Sequence, residues 1–196
     1  MSPAHVLEPT FRRLKRKLME GAWPPGEKLE ALRLADEFGV SMTPVRDCLN
    51  RLVGERLVEM KPGEGYRVPH MREQALRDML DLNAALLAYA VEVRGTHPLS
   101  TNPERPITDH ADRIAALFET IASLAGNAVL CETVRSLSER LHLVRNLDLL
   151  AFPEGAREIG EMEERLMKGQ PGLRSRIVDY HSRRRDEAPS LIRLLA

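Results

Sequence analysis

The residues whose types and spacing suit chemistry sit in one run, "GVSMTPVRDCLNRL", residues 39 to 52, where Ser41, Thr43 and Arg46 crowd the start of an apolar-periodic segment. Small hydroxyls and free main-chain N–H groups at a helix start favour an anion such as phosphate. A guanidinium one turn further on can grip phosphate with two donors, or address O6 and N7 of a guanine together. Met42 stands among them, able to touch a thymine methyl but unable to donate a hydrogen bond. Taken alone, Ser41 or Thr43 reads more readily as a helix N-cap, and Arg46 as a solvated charge.

Other chemistries find less support. The sequence has no nucleophile elbow, P-loop or dinucleotide fingerprint. Glu158, Glu161, Glu163 and Glu164, near His181, read as the solvated charged face of a helix, so no enzyme is expected. Cys48 and Cys131 lie far apart without metal-type or paired spacing, which suits a reducing compartment. Lys plus Arg equals Asp plus Glu, 29 against 29, so any basic surface must be local. There is no leader-like start and no apolar run of about 18 residues, so a cytoplasmic protein without a membrane partner is expected.

The elements that must position the run follow from spacing. Leu7, Phe11, Leu14 and Leu18 predict a first helix stopped by Gly21 and Pro24-Pro25-Gly26. Leu29, Leu32, Ala35 and Phe38 predict a second, shorter one ending at Gly39, a residue suited to a positive-φ turn. Val45, Leu49, Leu52 and Val53 predict a third, with Pro44 in its first turn. Alternation around Lys61-Pro62-Gly63-Glu64-Gly65 predicts two short strands and a turn. The fold class is therefore mainly α, with a winged helix-turn-helix over residues 1 to 70 and an all-helical bundle over 71 to 196. In the bundle, helices are expected at about 72 to 94, 108 to 124, 128 to 148, 156 to 168 and 172 to 193, with a proline-broken connection at 95 to 108.

Residues 24 to 68, "PPGEKLEALRLADEFGVSMTPVRDCLNRLVGERLVEMKPGEGYRV", resemble the DNA-binding domain of GntR-type bacterial regulators, whose usual run is PPG, then L, LA, GVSRTPVREAL, L, GLV and a Gly-containing wing. The remainder is more weakly similar to the helical effector domain of the FadR-like branch (FCD domain), through "LFETIASLAGN" at 117 to 127 and "EMEERLMKGQPGLRSRIVDYH" at 161 to 181. The resemblance implies a homodimer on a palindromic double-stranded DNA operator, gripped or released when a small-molecule effector binds. It implies DNA contacts from Arg33, Ser41, Met42, Thr43, Arg46 and Arg51, with Gly63 and Gly65 in the wing.

Two departures concern DNA: Met42 stands where the family commonly has Arg, and Glu64 where the wing commonly has a cation. The basic "RRLKRK", residues 12 to 17, either compensates or forms a solvated outer face. Further departures concern the bundle. Ile114, Phe118 and Ile159 occupy the positions of the family's metal-ligating Asp, His and His, leaving His181 alone of the four. The remaining histidines of the bundle, His97, His110 and His142, lack ligand spacing. No metal or other cofactor is expected, since such ions keep about three protein ligands. Phe118, Ile159 and His181 instead mark an apolar effector pocket or one that has collapsed. Asn83 and Leu87 likewise replace a family Arg and Glu. An architectural DNA-binding protein whose helical domain only dimerises is the alternative.

Overall fold

A computed structural model describes residues 3–94 and 109–195, so the connection expected at 95 to 108, with His97, lies outside the described residues. The chain divides into two compact units, one ending at Met71 and the other spanning Arg72–Leu195.

The first unit begins with helix α1, Pro3–Met19, whose Phe11, Leu14 and Leu18 are buried. Helix α2, Ala31–Phe38, buries Leu34 and Ala35. Its end is fixed by Gly39 in the left-handed region, φ 67° and ψ 36°, whose N–H turns back to the Ala35 and Asp36 carbonyls. Helix α3, Met42–Gly54, then packs Val45, Cys48, Leu49 and Leu52 against α1 and α2. Pro44 lies where an N–H would have no intrahelical partner in any case. Strands β1, Glu59–Lys61, and β2, Gly65–Arg67, pair antiparallel with Met60 opposite Tyr66. A third stretch stitches the hairpin to the body: Leu29 N–H donates to Tyr66 O at 2.9 Å and Val68 N–H to Glu27 O at 3.0 Å. Burial pushes the Cys48 thiol up to about 11, which leaves it protonated and inert.

The second unit is helical throughout its described residues. It comprises α4 Glu73–Arg94, α5 His110–Ser123, α6 Ala128–Arg140, α7 His142–Asn146, α8 Asp148–Ala151, α9 Gly155–Lys168, α10 Leu173–Asp186 and α11 Ala188–Leu195. Helices α4 and α10 pack along one another, and α5 lies against α4, α6, α7 and α9. The core gathers Leu87, Ile114, Phe118, Ile121, Ile159 and Ile177.

Two expected helices are broken, each for a physical reason. The one expected over 128 to 148 divides at Leu141 and Leu147 into α6, α7 and α8. Tight bonds of Leu147 N–H to Val144 O and Leu150 N–H to Leu147 O redirect the chain, with Asp148 buried beside Arg184. The one expected over 172 to 193 stops at Asp186 and restarts at Ala188, because Pro189 has no N–H to continue the ladder and its ring opposes the preceding turn.

The Asp148–Arg184 pair organises this end of the bundle. Arg184 Nε donates to Asp148 Oδ1 at 2.7 Å and Nη2 to Oδ2 at 2.8 Å, with both residues buried. Arg184 Nη1 lies 2.8 Å from Glu158 Oε2, and its cation rests 3.6 Å from the Tyr180 ring centroid. The pair explains Gly155, where a Cβ would stand 2.8 Å from Asp148 Oδ2. Burial alone would raise the Asp148 carboxyl, but hydrogen bonds from His110 and Arg184 outweigh it and hold the group below the ordinary carboxylate value. Asp148→Asn should therefore cost about 3–5 kcal/mol near neutrality, because it removes the carboxylate that takes two donors of a buried guanidinium. A depressed folded pKa contributes stability only above the unfolded value, so that difference should close as pH falls through the folded value, read by urea titrations at several pH values.

Candidate nucleic-acid interface

Gly39 and Ser41 set the start of α3. Ser41 is the N-cap residue, extended at φ −76° and ψ 164°, yet its hydroxyl makes no capping bond. The first N–H groups of α3 and the Ser41 hydroxyl thus remain available at the positive end of a thirteen-residue helix. Met42, 39% exposed, precedes Arg46 by four residues and Thr43 precedes it by three, so all three lie on one exposed side of α3. Among the described residues Arg46 has no ion pair, and its guanidinium is unclaimed.

The other expected contacts differ from it. Arg51 lies 3.1 Å from Glu8 Oε2 and 3.4 Å from Glu55 Oε1, with its cation 3.6 Å from the Phe11 ring centroid. It fastens α3 to α1 and is separated in role from the Arg46 tip. Arg33 is exposed on α2 and lies 3.6 Å from Glu27 Oε1. In the wing, Gly63 and Gly65 both take positive φ and shape the turn. Glu64 receives Arg67 Nε at 3.0 Å while Arg67 Nη1 donates to Gly26 O at 3.0 Å.

Sequence reasoning passed over two contributors. Tyr66 donates its hydroxyl to Asn50 Oδ1 at 2.7 Å and so ties the wing to α3, a contact that no local pattern encodes. Lys61 is exposed beside the wing turn without an ion pair among the described residues, and a lysine next to Pro-Gly was signal enough to find it. The basic run at 12 to 17 is occupied within the unit: Arg12 with Glu8, Lys15 with Glu55, Arg16 with Glu20 and Lys17 with Glu37, while Arg13 lies over Phe38.

In the helical unit, Phe118, Ile159 and His181 come together, but as packed core. Phe118 and His181 stack with centroids 5.2 Å apart. His181 Nδ1 donates to Ile177 O at 2.7 Å, Nε2 lies 3.1 Å from Asn83 Nδ2, and burial drives the imidazole down to about 3, so it is neutral at physiological pH. The glutamates of α9 are engaged by basic side chains: Glu158 with Arg183 and Arg184, Glu161 with Arg176, Glu163 with Arg113, Glu164 with Lys168. Asp109, Asp112 and His142, which no spacing rule connects, hold ligand-type atoms within 4.8 Å of one another. Asp109 spends one oxygen capping α5 through Asp112 N–H at 2.8 Å, and His142 Nδ1 faces Asp112 Oδ1 at 3.7 Å.

The family model for bacterial regulatory proteins of the gntR family matches residues 8–68. The HTH-type transcriptional repressor GlaR of Escherichia coli is 37% identical over 83 residues, 42% of this chain and 38% of that protein. The regulator McbR of the same organism is 33% identical over 87 residues, 43% of this chain and 39% of that protein. The chain thus matches about two fifths of the length of these relatives. The Nta operon transcriptional regulator of Aminobacter aminovorans is 29% identical over 140 residues, 63% of this chain and 66% of that protein. In fold, the chain is similar to a GntR-type regulator from Rhodococcus sp. RHA1, with a TM-score of 0.71 at 16% identity over 93% of this chain and 96% of that one. It is also similar to the Escherichia coli McbR/YncC structure, with a TM-score of 0.64 at 21% identity over 94% and 97%.

The contrast between a claimed and an unclaimed guanidinium is measurable without DNA. Arg51→Met should lower the stability of the N-terminal unit by roughly 0.5–1 kcal/mol, the scale of an exposed cation–π contact. Arg46→Met should change it by less than about 0.5 kcal/mol, as surface substitutions do. Equal losses in denaturant unfolding would place Arg46 in the fold instead.

Proposed function

Because the chain belongs to the GntR family through its N-terminal domain, we propose that it is a sequence-specific transcriptional regulator that binds a palindromic operator as a homodimer. A small-molecule effector in the helical domain would set its DNA affinity. The observation that carries this reading is the tip of α3, where an unclaimed Arg46 guanidinium, the Thr43 hydroxyl and an uncapped helix start share one exposed surface. A helix presented this way fits the major groove, with its N-terminal residues toward base edges and phosphates. Gly63, Gly65 and Lys61 let the wing approach the backbone beside it. Arg33 adds a peripheral phosphate contact, and Arg51 serves by holding α3 in place.

Met42 gives the proposed interface its particular preference. Where a cation would hold a guanine, a thioether offers apolar contact with a thymine methyl. The operator therefore departs from one read by an arginine at this place.

Dimerisation is supported by the surface of α4. Leu82, Tyr89 and Val93 are exposed, seven and four residues apart, and so form one apolar stripe. A single winged helix covers one half-site, and useful affinity needs a second copy at fixed spacing, set here by the linker around His70 to Glu73. No helix among the described residues is long and apolar enough to cross a membrane. We place the protein in the cytoplasm with its DNA. The closed packing of Phe118, Ile159 and His181 favours a second reading, in which the helical domain only dimerises. Release of the operator by a metabolite separates the two.

Selection of bound sequences from random DNA by the purified protein should return a palindrome; a single half-site would overturn the dimeric reading. Arg46→Ala should weaken binding to that operator by about 1–3 kcal/mol with an unchanged fold. Met42→Arg should alter the selected base at one position of each half-site. Light scattering should give a mass near twice 22.1 kDa, and a chain ending at residue 70 should bind far more weakly than the full chain.

A further inference from the structure

A cleft of about 160 Å³ opens at one end of the helical unit, where α4 and α5 end, α9 stops and α10 begins. Phe118, Ile159 and His181 do not line it. Its floor is apolar, with Leu173 buried and Val91 and Leu124 half-buried against the core. Apolar cavities of roughly 150 Å³ hold a benzene-sized body, so one side chain of leucine or phenylalanine size fits the space.

The wall of the cleft is a turn that the chain holds firmly. Gly169 ends α9 in the left-handed region at φ 62°, and Gly172 opens α10 at φ 88°, conformations that glycine adopts without strain. Pro171 between them has a fixed φ, and its carbonyl accepts from Arg165 Nη1 at 2.7 Å. The Gln170 N–H returns to Arg165 O at 2.9 Å. The cleft is therefore preformed, and a ligand need not order it.

The rim carries one charge of each sign. Glu92 on α4 and Arg174 in the first turn of α10 are both exposed and both line the cleft, and neither has an ion pair among the described residues. On α9, by contrast, Glu158, Glu161, Glu163 and Glu164 all meet basic side chains. An acid and a base that share a cleft without pairing can each take the opposite charge of one ligand.

We propose that this cleft binds a free α-amino acid with an apolar side chain. The carboxylate meets the Arg174 guanidinium, the ammonium meets Glu92, and the side chain lies over Val91, Leu124 and Leu173. Both charged groups stay at the wet rim, so little desolvation opposes binding. A plain organic acid leaves Glu92 unmatched, and a plain amine leaves Arg174 unmatched, so the zwitterion is the preferred class.

The test is a titration of the full chain without DNA, followed through backbone-amide chemical shifts, with L-leucine as the probe. Saturable shifts should centre on Val91, Gly169 and Gly172, with a Kd on the order of 1 mM or below, the range open to so small a ligand. Isocaproate, which lacks the ammonium, and isoamylamine, which lacks the carboxylate, should each bind about fivefold more weakly, the upper scale of one exposed charge pair. Glycine, which lacks the apolar body, should give no saturable shift. Arg174→Gln should no longer distinguish L-leucine from isoamylamine, and Glu92→Gln should no longer distinguish it from isocaproate, a coupling that a merely structural role would not produce. Absence of saturable shifts, or shifts centred away from the cleft, would overturn the site, as would equal binding of L-leucine by wild type and Arg174→Gln. Isocaproate binding as tightly as L-leucine would overturn the amino-acid class. Since no DNA is present, failure here leaves operator binding through Arg46 standing, and a failed operator selection leaves the cleft standing.

Discussion

A guanidinium depends on an anion the more it is drawn out of water, and this constraint separates the roles of Arg184, Arg51 and Arg46. Arg184 meets Asp148 in the core of the helical unit, and the turns at Leu141 and Leu147 and the glycine at 155 all accommodate that meeting. Arg51 meets Glu8, Glu55 and the face of Phe11, and helix α3 is thereby fixed on α1. With 29 cationic and 29 acidic side chains in total, net charge says little. What matters is which cations remain after internal pairing, and at the tip of α3 that is Arg46.

Much of the N-terminal unit was legible in the sequence because its signals are local. Apolar residues every three or four positions marked α1, α2 and α3, Gly39 marked the turn, and the Pro-Gly run marked the wing. The types at the tip, Ser41, Met42, Thr43 and Arg46, were also visible. Whether each cation is free was not, because that depends on partners far away in sequence: Glu8 lies 43 residues from Arg51. The helical unit hid more. Periodicity ran straight through Leu141 and Leu147, since a buried ion pair formed across 36 residues leaves no periodic trace. Gathering of Asp109, Asp112 and His142 was equally invisible.

The two departures at the proposed DNA-binding surface have different structural consequences. In the proposed interface Met42 changes the chemistry that the tip of α3 offers without moving that tip, because Gly39 and Ser41 set where α3 begins. Glu64 is drawn back onto Arg67, which in turn holds the Gly26 carbonyl, so the acid serves to brace the wing. With Tyr66 bonded to Asn50, wing and α3 are joined by side chains as well as by backbone.

The two cysteines stand in unlike surroundings: Cys48 is buried with its thiol pushed up to about 11, whereas Cys131 on α6 is half-buried. Thiol-directed reagents react through the thiolate, so they discriminate between these positions without any engineering. The native chain therefore carries a built-in attachment point in its helical unit alone. A fluorophore or spin label placed there would report on the bundle while the DNA-facing unit remains chemically untouched.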